Sequence, residues 1–79
     1  MLIVNQTKDL VVNMDNATYL WIEKKSCSIK CKVVGEDLGL HLGTYQSLDD
    51  CKKVLGEMIS YNNTGLCTHY EMPLGGAVR

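Results

Sequence analysis

The sequence predicts an α+β domain: an antiparallel β-meander of about five strands, one helix packed on the sheet, and a short C-terminal strand. Up to residue 45 the chain consists of short β-branched or alternating apolar and polar runs separated by turn residues. From residue 47 to residue 59 apolar residues recur instead at spacings of three and four, the helical period. Strands followed by a helix are typical of the α+β class. We expect one domain over residues 1–73 and a flexible tail over residues 74–79, where two glycines occur.

Five segments are expected to be strands of the meander: 2–4, 10–12, 18–23, 27–33 and 38–45. The third places Tyr19 and Trp21 on one face and leucine and isoleucine on the other. The fourth alternates between apolar and polar residues, so Ser28, Lys30 and Lys32 should face solvent or a partner. One helix leaves the other sheet face or an edge open for a partner.

Ser47 is the expected N-cap of the helix, because its hydroxyl can accept from a backbone N–H of the first turn. Asp49 and Asp50 suit that turn, where the helix dipole favours negative charge. One apolar stripe should cover the sheet: Leu48, Cys51, Val54, Leu55, Met58 and Ile59. The helix should end at residues 62–65, and a last strand over 66–72 should be closed by Pro73.

Length and charge narrow the classes of function. A chain of 79 residues has a small core, so oligomerisation is an expected source of stability. A net charge of −1 argues against binding to duplex nucleic acid, which needs many cations. The apolar residues 1–4 are interrupted at once by a polar run, so neither a signal peptide nor a membrane span is expected, and we predict a cytoplasmic protein.

The four cysteines are Cys27, Cys31, Cys51 and Cys67. On a strand, Cys27 and Cys31 would lie roughly 13 Å apart, too far for a disulfide or a shared metal. No pair has the spacing of a zinc site, so all four are expected to be small buried thiols in a reducing compartment. No cofactor or metal is predicted.

One hairpin concentrates the side chains suited to a phosphorylated ligand. Tyr19 and Trp21 could stack on a base, and four lysines could meet phosphate: Lys24, Lys25, Lys30 and Lys32. The alternatives are that Trp21 is a packing or subunit-contact residue and that the lysines form a solvated strand face.

Arg79 could reach phosphate in a neighbouring subunit or remain in solvent. His41 and His69 accompany no nucleophile motif, and we predict no enzymatic activity.

Three parts of the chain, residues 3–8 with 12–16, residues 42–55 and residues 70–73, together resemble a group of small uncharacterised proteins encoded in phages and prophages of Firmicutes. The resemblance implies an accessory protein that counters host defence in the host cell cytoplasm. Such proteins either sequester a nucleotide immune signal, typically between the subunits of a homo-oligomer, or bind a defence protein directly. The first is our leading hypothesis. The alternative is a direct inhibitor of a host defence complex, similar to an anti-CRISPR protein, acting through an exposed sheet face or edge.

Overall fold

The computed structural model describes residues 1–36, 38–64 and 69–74 of the chain. In chain order the elements are β1 (Leu2–Val4), β2 (Val11–Asn13), a 3-10 turn (Met14–Asn16), β3 (Ala17–Glu23), β4 (Ser28–Val33), β5 (Leu40–Thr44), α1 (Leu48–Thr64) and β6 (His69–Glu71). The predicted α+β class is confirmed. In the part of the chain that is described, no helix is both long and apolar enough to cross a membrane.

The strands form two three-stranded sheets. Sheet 1 has the order β2-β1-β6, and sheet 2 has the order β3-β4-β5. Sheet 2 is an antiparallel meander, whereas in sheet 1 the last strand runs parallel to β1. The 3-10 turn separates the sheets, and it is capped by the Asn13 side chain, whose oxygen accepts the Asp15 N–H at 3.0 Å.

Helix α1 packs on the sheets as predicted, and Ser47 is its cap: the Ser47 hydroxyl accepts the Asp50 N–H at 3.2 Å. The buried seam of the helix is narrower than the predicted stripe. Cys51, Val54 and Met58 are buried, whereas Ile59 is 47% exposed. The other buried apolar residues of the core come from both sheets and the segments beside them: Ile3, Val12, Ile29, Cys31, Leu42, Tyr45, Tyr70 and Met72.

Two sequence-based expectations about β4 were wrong. Cys27 precedes the strand, in the turn after β3, with φ of 52° and a partly exposed side chain, so it is not one of the buried thiols. Ser28 is only 2% exposed instead of facing solvent. Cys31 and Cys51 are buried as expected.

Several predictions fall on residues that the structure does not describe. The last strand was expected over 66–72, and its described part is His69–Glu71, with 66–68 outside the described residues. Cys67 and Arg79 also lie outside them, as does the predicted tail beyond Leu74.

Candidate functional site

The register of sheet 2 defines one polar and aromatic surface. In the β3–β4 ladder Tyr19 lies opposite Lys32, Trp21 opposite Lys30, and Glu23 opposite Ser28. Paired residues of antiparallel strands share a face, and β5 adds two more side chains because Lys30 and Ser28 also pair with His41 and Thr44. We call this surface the outer face. Its members are Tyr19, Trp21, Glu23, Ser28, Lys30, Lys32, His41 and Thr44.

The aromatic part of the outer face is the pair Tyr19 and Trp21. Their ring centroids are 5.3 Å apart with the planes tilted by 44°. The Trp21 indole also reaches across β4 to Gly39, where a β-carbon would lie 2.6 Å from its Cη2 atom. Trp21 is half-buried by these contacts, while Tyr19 remains 53% exposed. These contacts within the chain support the interpretation of Trp21 as a packing residue. The ring of Tyr19 offers the more open surface for stacking.

Lys30 already has an anionic partner on this face. Its ammonium nitrogen lies 2.9 Å from Oε2 of Glu23, whose Oε1 accepts the Ser26 hydroxyl at 2.9 Å. The Lys30 ammonium, with the Ser26 hydroxyl, holds the pKa of the Glu23 carboxyl below its usual range. An incoming phosphate would have to compete with Glu23 for Lys30, which makes Lys30 a weaker anion ligand than its position suggests.

The remaining lysines of the hairpin are divided between its two ends. Lys32 lies opposite Tyr19, beside the aromatic pair. Lys24 and Lys25 lie in the turn after β3, at the other end. Within the described residues none of these three has a carboxylate partner in an ion pair. The structure therefore brings Tyr19, Trp21 and Lys32 together and places Lys24 and Lys25 beyond Glu23.

Hydroxyl groups connect β4 to β5 at the same end as Glu23. His41 Nε2 lies 2.7 Å from Oγ1 of Thr44, and that oxygen lies 3.0 Å from Oγ of Ser28. The Ser28 hydroxyl also reaches the Ser26 carbonyl oxygen at 3.4 Å. Ser28 is buried because β4 is the central strand and these neighbours cover it. Alternation along the chain could not reveal this cluster, since it depends on a register shift between Ile29 and Lys30.

His69, the other histidine, lies away from the outer face, on β6 of sheet 1. Its Nε2 is 3.8 Å from Oε2 of Glu71, and the other oxygen of Glu71 is 3.6 Å from the Lys8 ammonium. All three side chains are more than half exposed. No group of three or more potential metal ligands occurs among the described residues.

An apolar groove of about 170 Å³ lies between sheet 1 and the end of sheet 2. Its lining comes from the edge strand β2 and the residue before it, from the 3-10 turn, and from residues around the ends of β4 and β5: Leu10, Val11, Val12, Asn13, Asn16, Val33, Val34 and Leu40. Val11 and Val34 are exposed, and so is Leu38 in the β4–β5 connection. Sequence reasoning did not single out this groove, because it depends on how the two sheets meet.

Comparisons with protein-family models, curated proteins and solved structures found no match to this chain. The candidate site is therefore argued from the described geometry alone.

Proposed function

We propose that this chain is a non-enzymatic accessory protein of a phage or prophage that sequesters a nucleotide-type signalling molecule in the host cell cytoplasm. The base stacks on Tyr19 and Trp21, and Lys32 pairs with a phosphate. The observation that carries the proposal is the aromatic pair with Lys32 directly across the strand ladder, a lysine that has no ion pair among the residues described. The phage setting is supported by the sequence resemblance described above.

The chemistry of these three side chains suits such a ligand. Stacking of a base on an aromatic ring contributes roughly 1–3 kcal/mol and tolerates different bases. A lysine without a carboxylate partner offers its charge to phosphate without first losing an ion pair. Lys24 and Lys25 suit a second phosphate group of a longer ligand, since they lie on the same hairpin beyond Glu23.

The ligand is held between copies of the chain. Ligand pockets typically occupy on the order of 300 Å³ or more, and the outer face is an open sheet surface. A second subunit laid over Tyr19 and Trp21 would exclude water from the stacked base. Such a homo-oligomer would also bury apolar surface that a chain of 79 residues cannot bury in its own core.

Trp21 is the only tryptophan of the chain, so fluorescence excited selectively at tryptophan, without the four tyrosines, reports on this site. We would titrate the protein with cyclic dinucleotides and with ADP-ribose, and determine the ligand mass and subunit number by native mass spectrometry. We expect saturable quenching and a multimer that gains one defined nucleotide mass per interface. A protein that binds none of these probes would contradict the proposal.

Single substitutions distinguish side chains that bind the ligand from side chains that only hold the subunits together. Tyr19→Ala should weaken binding by about five- to 150-fold, the equivalent of roughly 1–3 kcal/mol for one stacked base, and leave the oligomer intact. Lys32→Ala should weaken binding more at low salt than at high salt. Lys53→Ala, at an exposed position of α1, is the matched control and should change neither ligand binding nor the oligomeric state. If Trp21→Ala dissociates the oligomer, the role of Trp21 is packing.

A direct inhibitor of a host defence protein is the second candidate, and the groove beside β2 favours it. The groove combines exposed Val11 and Val34 with an edge strand, which offers unpaired backbone groups to an added strand. This candidate predicts a stoichiometric complex with one defence protein that Val11→Lys abolishes and Tyr19→Ala leaves unchanged. The nucleotide-binding proposal predicts instead that Tyr19→Ala weakens ligand binding and that Val11→Lys leaves it unchanged.

A further inference from the structure

Two cysteines from different elements meet where the turn after β3 approaches the first turn of α1. The Cys51 thiol donates to the backbone carbonyl oxygen of Cys27, with Sγ 3.0 Å from that oxygen. The same oxygen accepts the backbone N–H of Tyr45 at 2.9 Å. One hydrogen bond thus joins residue 27 to the helix, and a second joins it to the segment between β5 and α1.

This contact brings the sulfur of Cys51 close to the backbone of Cys27, from which the second thiol branches. A carbonyl oxygen lies about 2.4 Å from its own Cα, so Sγ of Cys51 is within roughly 5.5 Å of the Cys27 Cα. A disulfide needs the two β-carbons at about 3.5–4.5 Å, so the bond requires the Cys27 side chain to turn toward the helix and replaces the hydrogen bond of the Cys51 thiol to the Cys27 carbonyl oxygen. The Cys27 thiol has a long contact of 3.9 Å with the Lys24 carbonyl oxygen, and rotation of this side chain gives up little.

The two thiols differ in access to solvent. Cys27 is partly exposed, whereas Cys51 is fully buried in the core. Burial, with a smaller contribution from the neighbouring Cys27, raises the pKa of the Cys51 thiol. An oxidant in solution therefore meets Cys27 first, and Cys51 is the protected thiol within reach.

We propose that Cys27 and Cys51 form a reversible intramolecular disulfide when the protein meets a peroxide. The Cys27 thiolate attacks one peroxide oxygen, the O–O bond breaks, and Cys27 becomes a sulfenic acid while hydroxide leaves. The sulfur of Cys51 then attacks the sulfur of Cys27, the S–O bond breaks, and the thiol proton leaves with the hydroxyl group as water. A dithiol reverses the bond by thiol–disulfide exchange.

The disulfide would attach the turn after β3 to the helix. That turn carries Lys24 and Lys25 and follows Glu23 of the outer face. Oxidation would thus hold one end of the outer face against α1, whatever molecule that face binds. The proposal concerns a modification site and is independent of the nucleotide-binding proposal.

The test treats the full-length, folded protein with a small excess of hydrogen peroxide, then alkylates all remaining thiols under denaturing conditions. We expect the loss of two of the four thiols, a disulfide-linked peptide pair containing Cys27 and Cys51, and full recovery of four thiols after dithiothreitol. Cys27→Ser should prevent the loss of the Cys51 thiol. Cys31→Ser is the matched control, since it removes a buried thiol on β4, outside both the turn and the helix, and it should leave the crosslink unchanged.

Peptide mapping of the unmutated protein keeps the test decisive even if a serine variant fails to fold. A crosslink of Cys27 to any cysteine other than Cys51, in the same chain or a second one, would overturn the proposal. So would oxidation of Cys27 to sulfinic acid with Cys51 remaining a free thiol.

Discussion

The side chain of Gln6 pairs with the backbone of Thr44 as a neighbouring β-strand would. Gln6 Oε1 accepts the Thr44 N–H at 2.9 Å, and Gln6 Nε2 donates to the Thr44 carbonyl oxygen at 3.0 Å. The same Nε2 donates to the Pro73 carbonyl oxygen at 3.0 Å. The Gln6 backbone N–H donates to the Leu42 carbonyl oxygen at 2.7 Å. Gln6, which follows β1 by two residues, thus joins sheet 1 to the free edge of β5.

Gln6→Ala should reduce the free energy of unfolding by about 2–4 kcal/mol. It removes three side-chain hydrogen bonds, each contributing roughly 0.5–1.5 kcal/mol, and leaves backbone groups of Thr44 without these partners. Denaturant unfolding followed by circular dichroism measures the change. Gln46→Ala, at an exposed glutamine close in sequence to the same strand, is the control and should change stability little. Equal effects of the two substitutions would show that the Gln6 amide does not connect the sheets.

Gly39→Ala should displace the Trp21 indole, because the added β-carbon would lie 2.6 Å from Cη2 and 3.0 Å from Cζ2. We expect the tryptophan emission to shift to longer wavelength as the ring moves into water, with a loss of about 1–3 kcal/mol in stability from overpacking. Gly56→Ala is the matched control, since nothing lies within 4 Å of its added carbon. It should leave the emission unchanged and stabilise the helix by about 0.5–1 kcal/mol. An unshifted spectrum in the Gly39 variant would contradict the contact.

Met58→Ala should destabilise the protein by about 2–5 kcal/mol, because Met58 is fully buried and its truncation leaves a cavity. Ile59→Ala, at the next residue of the same helix, should change stability by only about 0.5 kcal/mol, since Ile59 is 47% exposed. Thermal unfolding of both variants provides the comparison. A larger effect at Ile59 would place that side chain in an interface between copies of the chain.

Stability should fall in acid partly through Asp9. The Thr7 hydroxyl donates to Asp9 Oδ1 at 2.7 Å, and the Asn5 amide donates to the same oxygen at 2.9 Å. These hydrogen bonds hold the pKa of the Asp9 carboxyl below its usual range. A depressed pKa in the folded state contributes stability that is present above the unfolded value, about 4, and is lost as the pH falls through the folded value.

Asp9→Asn should therefore lose less stability than the unmutated protein between pH 5 and the acid limit of folding, as measured by urea unfolding at each pH. Thr7→Val should have the same effect in part, because it removes the largest cause of the shift. Thr18→Val, at an exposed threonine on β3, is the matched control. Parallel pH profiles for the Asp9 variant and the unmutated protein would show that Asp9 is not responsible.

Local patterns predicted the elements of this fold because their causes are local. Alternation placed Tyr19 and Trp21 on one face of β3, and the cap at Ser47 marked the start of α1. The helical spacing of the predicted stripe was correct, but Ile59 shows that its width depends on how far the sheets extend beneath the helix.

The pairing of distant segments could not be predicted in this way. Ser28 is polar and alternates with core residues, yet Thr44 and the Ser26 carbonyl oxygen cover it. Lys30 has the same pattern as Lys32, but only Lys30 has Glu23 beside it. Both differences come from neighbours on other strands or in the adjoining turn, whose positions become known only with the register.

The parallel pairing of β1 with β6, which places Ile3 opposite Tyr70, has a consequence for the order of folding. Sheet 2 is built from neighbouring segments and can form early, with little loop-closure entropy. Sheet 1 is complete only when β1 pairs with β6, which lies near the other end of the sequence. Contacts between residues so far apart in sequence slow folding. During synthesis on the ribosome, the β1–β2 hairpin would therefore expose a vacant strand edge until residues 69–71 emerge, and an early stop before that point would leave an aggregation-prone fragment.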